Sequence, residues 1–197
     1  YALEYVRQLS LTIGDGDNIF QPARNMSAAA TLNLDMRTDS ALDAKVTVGS
    51  WGLVSPSFYY GTRLNHRLSL SAIGSYTYAD NDYPFTLQTV NTSTRERRTN
   101  SRMNSGHGEL NACWNIDSHN QLSARLYYYD NDRQLPGIVH YYTNDNDETL
   151  HERNFFSQMC YRSQLSSKWS LLGNAKFNWA ESKYHNGLPT AGISDAR

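Results

Sequence analysis

From about residue 44 onward, side-chain character switches at every second position, in runs of roughly 10 to 14 residues. A period of two puts successive side chains on opposite faces of an extended strand. Residues 68–78 show it most clearly. Leu68, Leu70, Ala72, Gly74, Tyr76 and Tyr78 share one face, and Ser69, Ser71, Ile73, Ser75 and Thr77 share the other, polar except for Ile73. The pattern recurs at 122–129 and at 169–179, where Trp169, Leu171, Gly173, Ala175, Phe177 and Trp179 oppose Ser170, Leu172, Asn174, Lys176 and Asn178. Strands are expected at about 44–52, 54–64, 68–79, 103–114, 121–130, 154–165 and 169–182. Most exceed the ~5–6 residues usual in soluble proteins and reach the ~9–11 that a strand needs to cross a membrane.

The connections alternate in length. Asn65-His66-Arg67, Asn115 to Asn120 and Ser166-Ser167-Lys168 are short, whereas 80–102 and 131–153 are long loops. Short turns at one end and long loops at the other are characteristic of outer-membrane β-barrels. Trp169 and Trp179 share a face ten residues apart. That separation spans about 33 Å of strand, or about 25 Å of height at a ~40° tilt, matching the gap between two aromatic girdles.

Composition fits such a wall. The chain has 14 Tyr and 4 Trp in 197 residues, with a mean hydropathy of -0.65. No run approaches the ~18 apolar residues of a membrane helix. The net charge of -1 gives no electrostatic case for nucleic acid. Cys113 and Cys160 fall on strands separated by a third, roughly 9–10 Å apart, so two free thiols are expected. Residues 1–38 differ, with short alternations (Leu9, Leu11, Ile13), a Gly14-Asp15-Gly16-Asp17 turn, Ala28-Ala29-Ala30 and a short strand from Thr31 to Asp35. A separate compact domain is expected there, with the long-strand region covering 39–197. Tyr1 is not a start methionine and no signal peptide opens the chain, so a piece of a larger protein is expected.

Several stretches, in order, resemble the TonB-dependent outer-membrane receptors, in a Bacteroidetes-type branch. They are Ile19-Phe20-Gln21-Pro22-Ala23-Arg24-Asn25, Thr31-Leu32-Asn33-Leu34, Gly49-Ser50-Trp51-Gly52, Asp82-Tyr83-Pro84-Phe85, Arg97 to Gly108 and Tyr127 to Gly137. Arg153-Asn154-Phe155-Phe156 and Asn174-Ala175-Lys176-Phe177-Asn178 follow. The resemblance implies an all-β chain, an antiparallel transmembrane β-barrel fragment of about seven strands from a probable 22. It implies also that the end of a plug domain, residues 1–38, precedes that fragment. It implies uptake of a scarce nutrient (siderophore-iron, haem, cobalamin or similar) across the bacterial outer membrane. The partners implied are the TonB complex, reached through an N-terminal part absent from this sequence, and outer-membrane lipid and lipopolysaccharide, with an unidentified small-molecule ligand.

Few residues suggest chemistry. Tyr83, Phe85, Tyr141 and Tyr142 are expected to offer an aromatic platform for a ligand, with Arg97 and Arg98, from a basic cluster that includes Arg95 and Arg102, gripping an anion. Asp80, Asp82, Asp130, Asp132, Asp145 and Asp147 are candidate Ca²⁺ ligands, and the resemblance adds that cobalamin transporters of this superfamily use loop aspartates for calcium. The competing reading is that these residues start turns and stay solvated. His107 and Glu109 share the polar face of one strand. No nucleophile motif, EF-hand or P-loop is present, so no enzyme and no other cofactor is expected. The alternatives are a soluble all-β binding or adhesion module and a non-TonB porin.

Overall fold

The computed structural model describes residues 6–13, 30–36, 39–88, 91–137 and 146–187. The chain divides after Asp39 into two units. In the first, β1 (Val6–Ile13) pairs antiparallel with β2 (Ala30–Met36), setting Leu9 opposite Leu34 and Leu11 opposite Leu32. Both short alternations seen in the sequence are therefore strands.

The second unit is a succession of strands: β3 (Ala41–Val48), β4 (Val54–Arg63), β5 (Leu68–Ala79), β6 (Pro84–Gln88), β7 (Ser93–Arg97), β8 (Met103–Asn115), β9 (Asn120–Gln134), β10 (Thr149–Gln164) and β11 (Ser170–His185). Seven of them form one sheet in the order β11-β10-β9-β8-β5-β4-β3, antiparallel throughout. All seven long strands expected from the alternation are present. β9 runs to Gln134 and β10 starts at Thr149, each beyond its expected end, because the polar residues at these ends remain in the ladder. β3 stops at Val48, since Trp51 and Gly52 take positive φ (59° and 72°) in a turn. A Cβ at Gly52 would also meet the Asp80 carboxylate. The β6–β7 hairpin inside the first long loop was not anticipated.

The three short turns at one end of the sheet use one device. Asn65 Oδ1 accepts the backbone N–H groups of Arg67 and Leu68 at 2.8 Å each. Asp117 Oδ1 accepts those of His119 and Asn120 at 2.7 and 2.9 Å, and Ser166 Oγ those of Lys168 and Trp169 at 3.2 Å. A short polar side chain that bonds the backbone two and three residues ahead closes a turn locally. The other end carries the Trp51 turn and both long loops. There the Trp51 carbonyl accepts the N–H groups of Asp80 and Asn81, each at 3.1 Å.

Cross-strand register converts the sequence alternation into two faces. One row is Asp43-Tyr59-Ile73-Glu109-Tyr127-Phe156-Asn178; the next is Leu42-Tyr60-Ala72-Leu110-Leu126-Ser157-Phe177. The first row is covered in its middle, with Tyr59 0%, Ile73 2%, Glu109 1% and Phe156 5% exposed, while Asn178 at the β11 edge is open. In the second, Leu42 is 72%, Tyr60 49%, Leu110 56% and Phe177 58% exposed. From β4 to β10 the largely polar face is thus the more covered one, and the apolar face is open; on β11 both faces are exposed. Among the described residues the buried hydrophobics are Tyr59, Ile73, Ala79 and Phe156 alone, too few to be the core of a sheet this long.

Cys113 and Cys160 are free and both stand opposite Ser123 of β9, one strand apart from each other, as expected.

Candidate functional site

The open apolar face ends in charge on its long-loop side. Beyond Tyr76, Tyr128, Phe155 and Trp179, the same face continues into Asp130, Arg153 and Glu181, which stand in register. The next row holds Asp132, His151 and Lys183. Tyr128 donates its hydroxyl to Asp130 Oδ2 at 3.0 Å, and Arg153 Nε donates to the same oxygen at 3.0 Å. The arrangement repeats at Tyr78, which donates to Asp80 Oδ1 at 2.5 Å, with Arg102 3.9 Å from that carboxylate. Glu181 lies 4.0 Å from Arg153 and 2.7 Å from Lys183. His151, expected in a loop, belongs to β10 and approaches Asp130 at 3.5 Å.

These contacts account for one aspartate of each Asp-Asn-Asp tripeptide. Asp80 and Asp130 are occupied by a tyrosine hydroxyl and an arginine. Asp82 pairs with Arg97, which also donates to the Asp82 carbonyl at 3.2 Å. Asp132 and Asp147 are exposed, and Asp145 lies outside the described residues. Among the described residues no three His, Cys, Asp or Glu side chains converge on a point that would hold a metal ion.

The two long loops are tied to one another. Arg98 Nη2 donates to the carbonyl of Pro136 at 2.8 Å and to that of Gly137. Asn100, in a left-handed conformation (φ 49°), donates through Nδ2 to the carbonyls of Leu135 and Glu148, both at 2.8 Å. Asn146 Nδ2 also reaches the Leu135 carbonyl, at 3.1 Å. Phe85 lies beneath the Arg98 guanidinium, 6.0 Å from ring centroid to carbon. Arg98 thus serves as a strap between loops, and Arg97 is held by Asp82. Tyr83 is exposed beside this strap, its carbonyl accepting the Arg98 N–H at 3.0 Å. Tyr141 and Tyr142 lie outside the described residues. A recess of about 320 Å³ opens beside Pro84, Arg95, Glu96 and Arg97 on the hairpin.

On the covered face, β5, β8 and β9 assemble a polar cluster. Glu109 accepts from Asn111 Nδ2 at 3.0 Å and lies 3.3 Å from Arg125 Nε, which donates to Asn111 Oδ1 at 2.9 Å. His107 lies between Ser75 Oγ, at 3.4 Å, and Glu109 Oε2, at 3.8 Å, distances long for hydrogen bonds. Its ring tilts against Tyr127 at 5.0 Å, and Tyr127 stacks on Phe156 at 4.7 Å. The alternation in the sequence sets His107, Glu109 and Asn111 on one face of one strand; Arg125 joins them through register, opposite Asn111, which no local signal encodes. The carboxylate is held between an arginine and an amide, so the cluster braces three strands.

No protein-family model matches the chain, and no curated protein is similar to it.

Proposed function

We propose that the seven-stranded sheet is part of the wall of a bacterial outer-membrane β-barrel. In this account the polar face lines the interior and the apolar face meets lipid. The observation that carries it is the inversion of the two faces, Glu109 covered beside an open Leu110. In water, each Å² of apolar surface left open forgoes ~25 cal/mol, and contiguous open apolar surface marks contact with another molecule or a membrane. In lipid the same surface is at no disadvantage. Long strands, turns closed by their own side chains at one end, and long loops at the other agree with a barrel. Among the described residues β3 and β11 are the edges of the sheet, and in this account further strands pair with them, because unpaired backbone groups are not tolerated in hydrocarbon.

Within that class we propose a TonB-dependent receptor that takes up a scarce nutrient, with unit one the end of its plug and the tied loops part of its outer rim. The ordered motif resemblance supports this choice over a porin. No covalent step is involved: ligand binding at the rim is coupled to a plug movement driven through TonB.

A gel of the full-length protein extracted from outer membranes tests the barrel. Faster migration unboiled than boiled is expected, and a water-soluble protein with no shift would refute it. Growth on limiting nutrients tests transport: loss of one nutrient on deleting either the receptor or TonB is expected, and growth unaffected on every nutrient would refute it.

A further inference from the structure

We propose that His107 and Glu109 form the protein's half of a binding site for a transition-metal dication of the Zn²⁺ class. Alternate residues of β8 point to the same side of the sheet, and this pair meets on its covered face. The two side chains are 7% and 0% exposed, and His107 Nε2 faces Glu109 Oε2 at 3.8 Å. Among the described residues neither atom has a hydrogen-bond partner. Buried polar atoms left facing one another are costly unless something bridges them.

Their separation discriminates between bridges. A direct charge-assisted hydrogen bond would close to about 2.7–2.9 Å. A water ~2.8 Å from each atom would hold them roughly 4.6 Å apart. A tetrahedral ion ~2.0–2.1 Å from each needs about 3.4 Å, which a side-chain shift of about 0.4 Å supplies. The neighbours already hold the pair as an outer layer of ligands would. Ser75 Oγ, 3.4 Å from Nδ1, is placed to accept the Nδ1 proton, the tautomer that turns the Nε2 lone pair toward Glu109. Asn111 and Arg125 engage Oε1, at 3.0 and 3.3 Å, and leave Oε2 to the metal. The Tyr127 ring lies against His107 at 5.0 Å and fixes the imidazole plane. An imidazole with one carboxylate suits Zn²⁺, Cu²⁺ or Ni²⁺ and not Ca²⁺ or Mg²⁺, which take oxygen ligands. Two protein ligands leave the other coordination positions to water or an exchangeable group, so the ion is one that comes and goes. The site uses strands of one sheet alone and does not rest on the membrane reading.

The test is a calorimetric titration of the full-length protein, stripped of metal by chelation, with Zn²⁺ and with Ca²⁺ as control. Wild type is expected to bind one Zn²⁺ more than His107→Phe, which keeps a ring against Tyr127, with no such difference for Ca²⁺. Glu109→Gln should bind that ion about tenfold more weakly or worse. Arg125→Gln, which removes a competing positive charge, should bind it more tightly. Equal Zn²⁺ stoichiometry and affinity in wild type and His107→Phe would overturn the proposal. So would equal weakening in Arg125→Gln and Glu109→Gln, because the cluster's integrity and not ligation would then be read. The wild type decides without any variant: anomalous X-ray scattering at the zinc edge from Zn²⁺-soaked crystals is expected to place a peak between Nε2 and Oε2. A map without that peak overturns the proposal. The heat-modifiability gel reads the barrel separately.

Discussion

Tyr128 and Asp130, two residues apart on one face of β9, are joined by a 3.0 Å hydrogen bond from hydroxyl to carboxylate. Tyr78 and Asp80 repeat the relationship on β5. In each pair the ring stays with the apolar band while the hydroxyl reaches the charged row above it, the division of labour that suits tyrosine at an apolar–polar boundary. Each aspartate then faces an arginine of a neighbouring segment, Arg153 or Arg102.

Tyr128→Phe keeps the ring and removes the donor. Unfolding in detergent by urea is expected to show a small loss of stability, because a hydrogen bond to a charged group is removed at an exposed site. The double variant with Asp130→Asn should lose less than the sum of the two single changes. Strict additivity would mean that the contact contributes nothing.

Glu109 is covered and held by Asn111 and Arg125. Glu109→Ala is expected to cost about 3 kcal/mol, because removing one partner leaves the other's charge uncompensated. Glu109→Gln retains an acceptor for Asn111 and should cost clearly less. Urea unfolding of the two variants decides it; equal costs would mean that the charge is immaterial.

Asn100 ties the first long loop to the second through two 2.8 Å hydrogen bonds. Asn100→Gly tolerates the left-handed backbone and removes only the side-chain bonds. Local loosening of about 1–3 kcal/mol is expected, read as faster limited proteolysis within 80–102 and 135–148, with global unfolding little changed. Unaltered cleavage would show that the loops are independent.

The Asp117 carboxyl is held below the usual carboxylate range, first by the Asn120 side-chain amide and then by the His119 backbone N–H. With the folded value depressed, the turn's contribution is complete above the unfolded aspartate value and fades as pH falls through the folded one. An NMR titration of the Asp117 carboxyl should give a midpoint below ~3.9, rising toward it in Asn120→Ala. A wild-type midpoint at the ordinary value would contradict the turn geometry.

The seven long strands were legible because a strict period of two over ten or more residues has few other solutions. Asp130-Asn131-Asp132 misled at the end of β9: such residues usually start turns, but here Tyr128 and Arg153 hold Asp130 inside the ladder. The β6–β7 hairpin has only five residues a strand, too few for periodicity to declare itself. Arg98 read as a ligand grip because sequence cannot say that the Pro136 and Gly137 carbonyls come to lie beside it. Partners across strands and loops depend on register and loop path, which only folding reveals. Polarity alternation predicted two unlike faces, and the barrel expectation turned the apolar one outward; the structure shows that face open.

That last point can be tested directly by tryptophan fluorescence. Trp114, Trp169 and Trp179 lie on the open apolar face, at 46%, 72% and 43% exposure. Variants of the full-length protein that keep one of these tryptophans and replace the other tryptophans by Phe are reconstituted into vesicles containing brominated phospholipid. Strong quenching by the bromolipid and weak quenching by aqueous iodide are predicted for all three positions. Full quenching by iodide with none from the bromolipid would place this face in water and contradict the account.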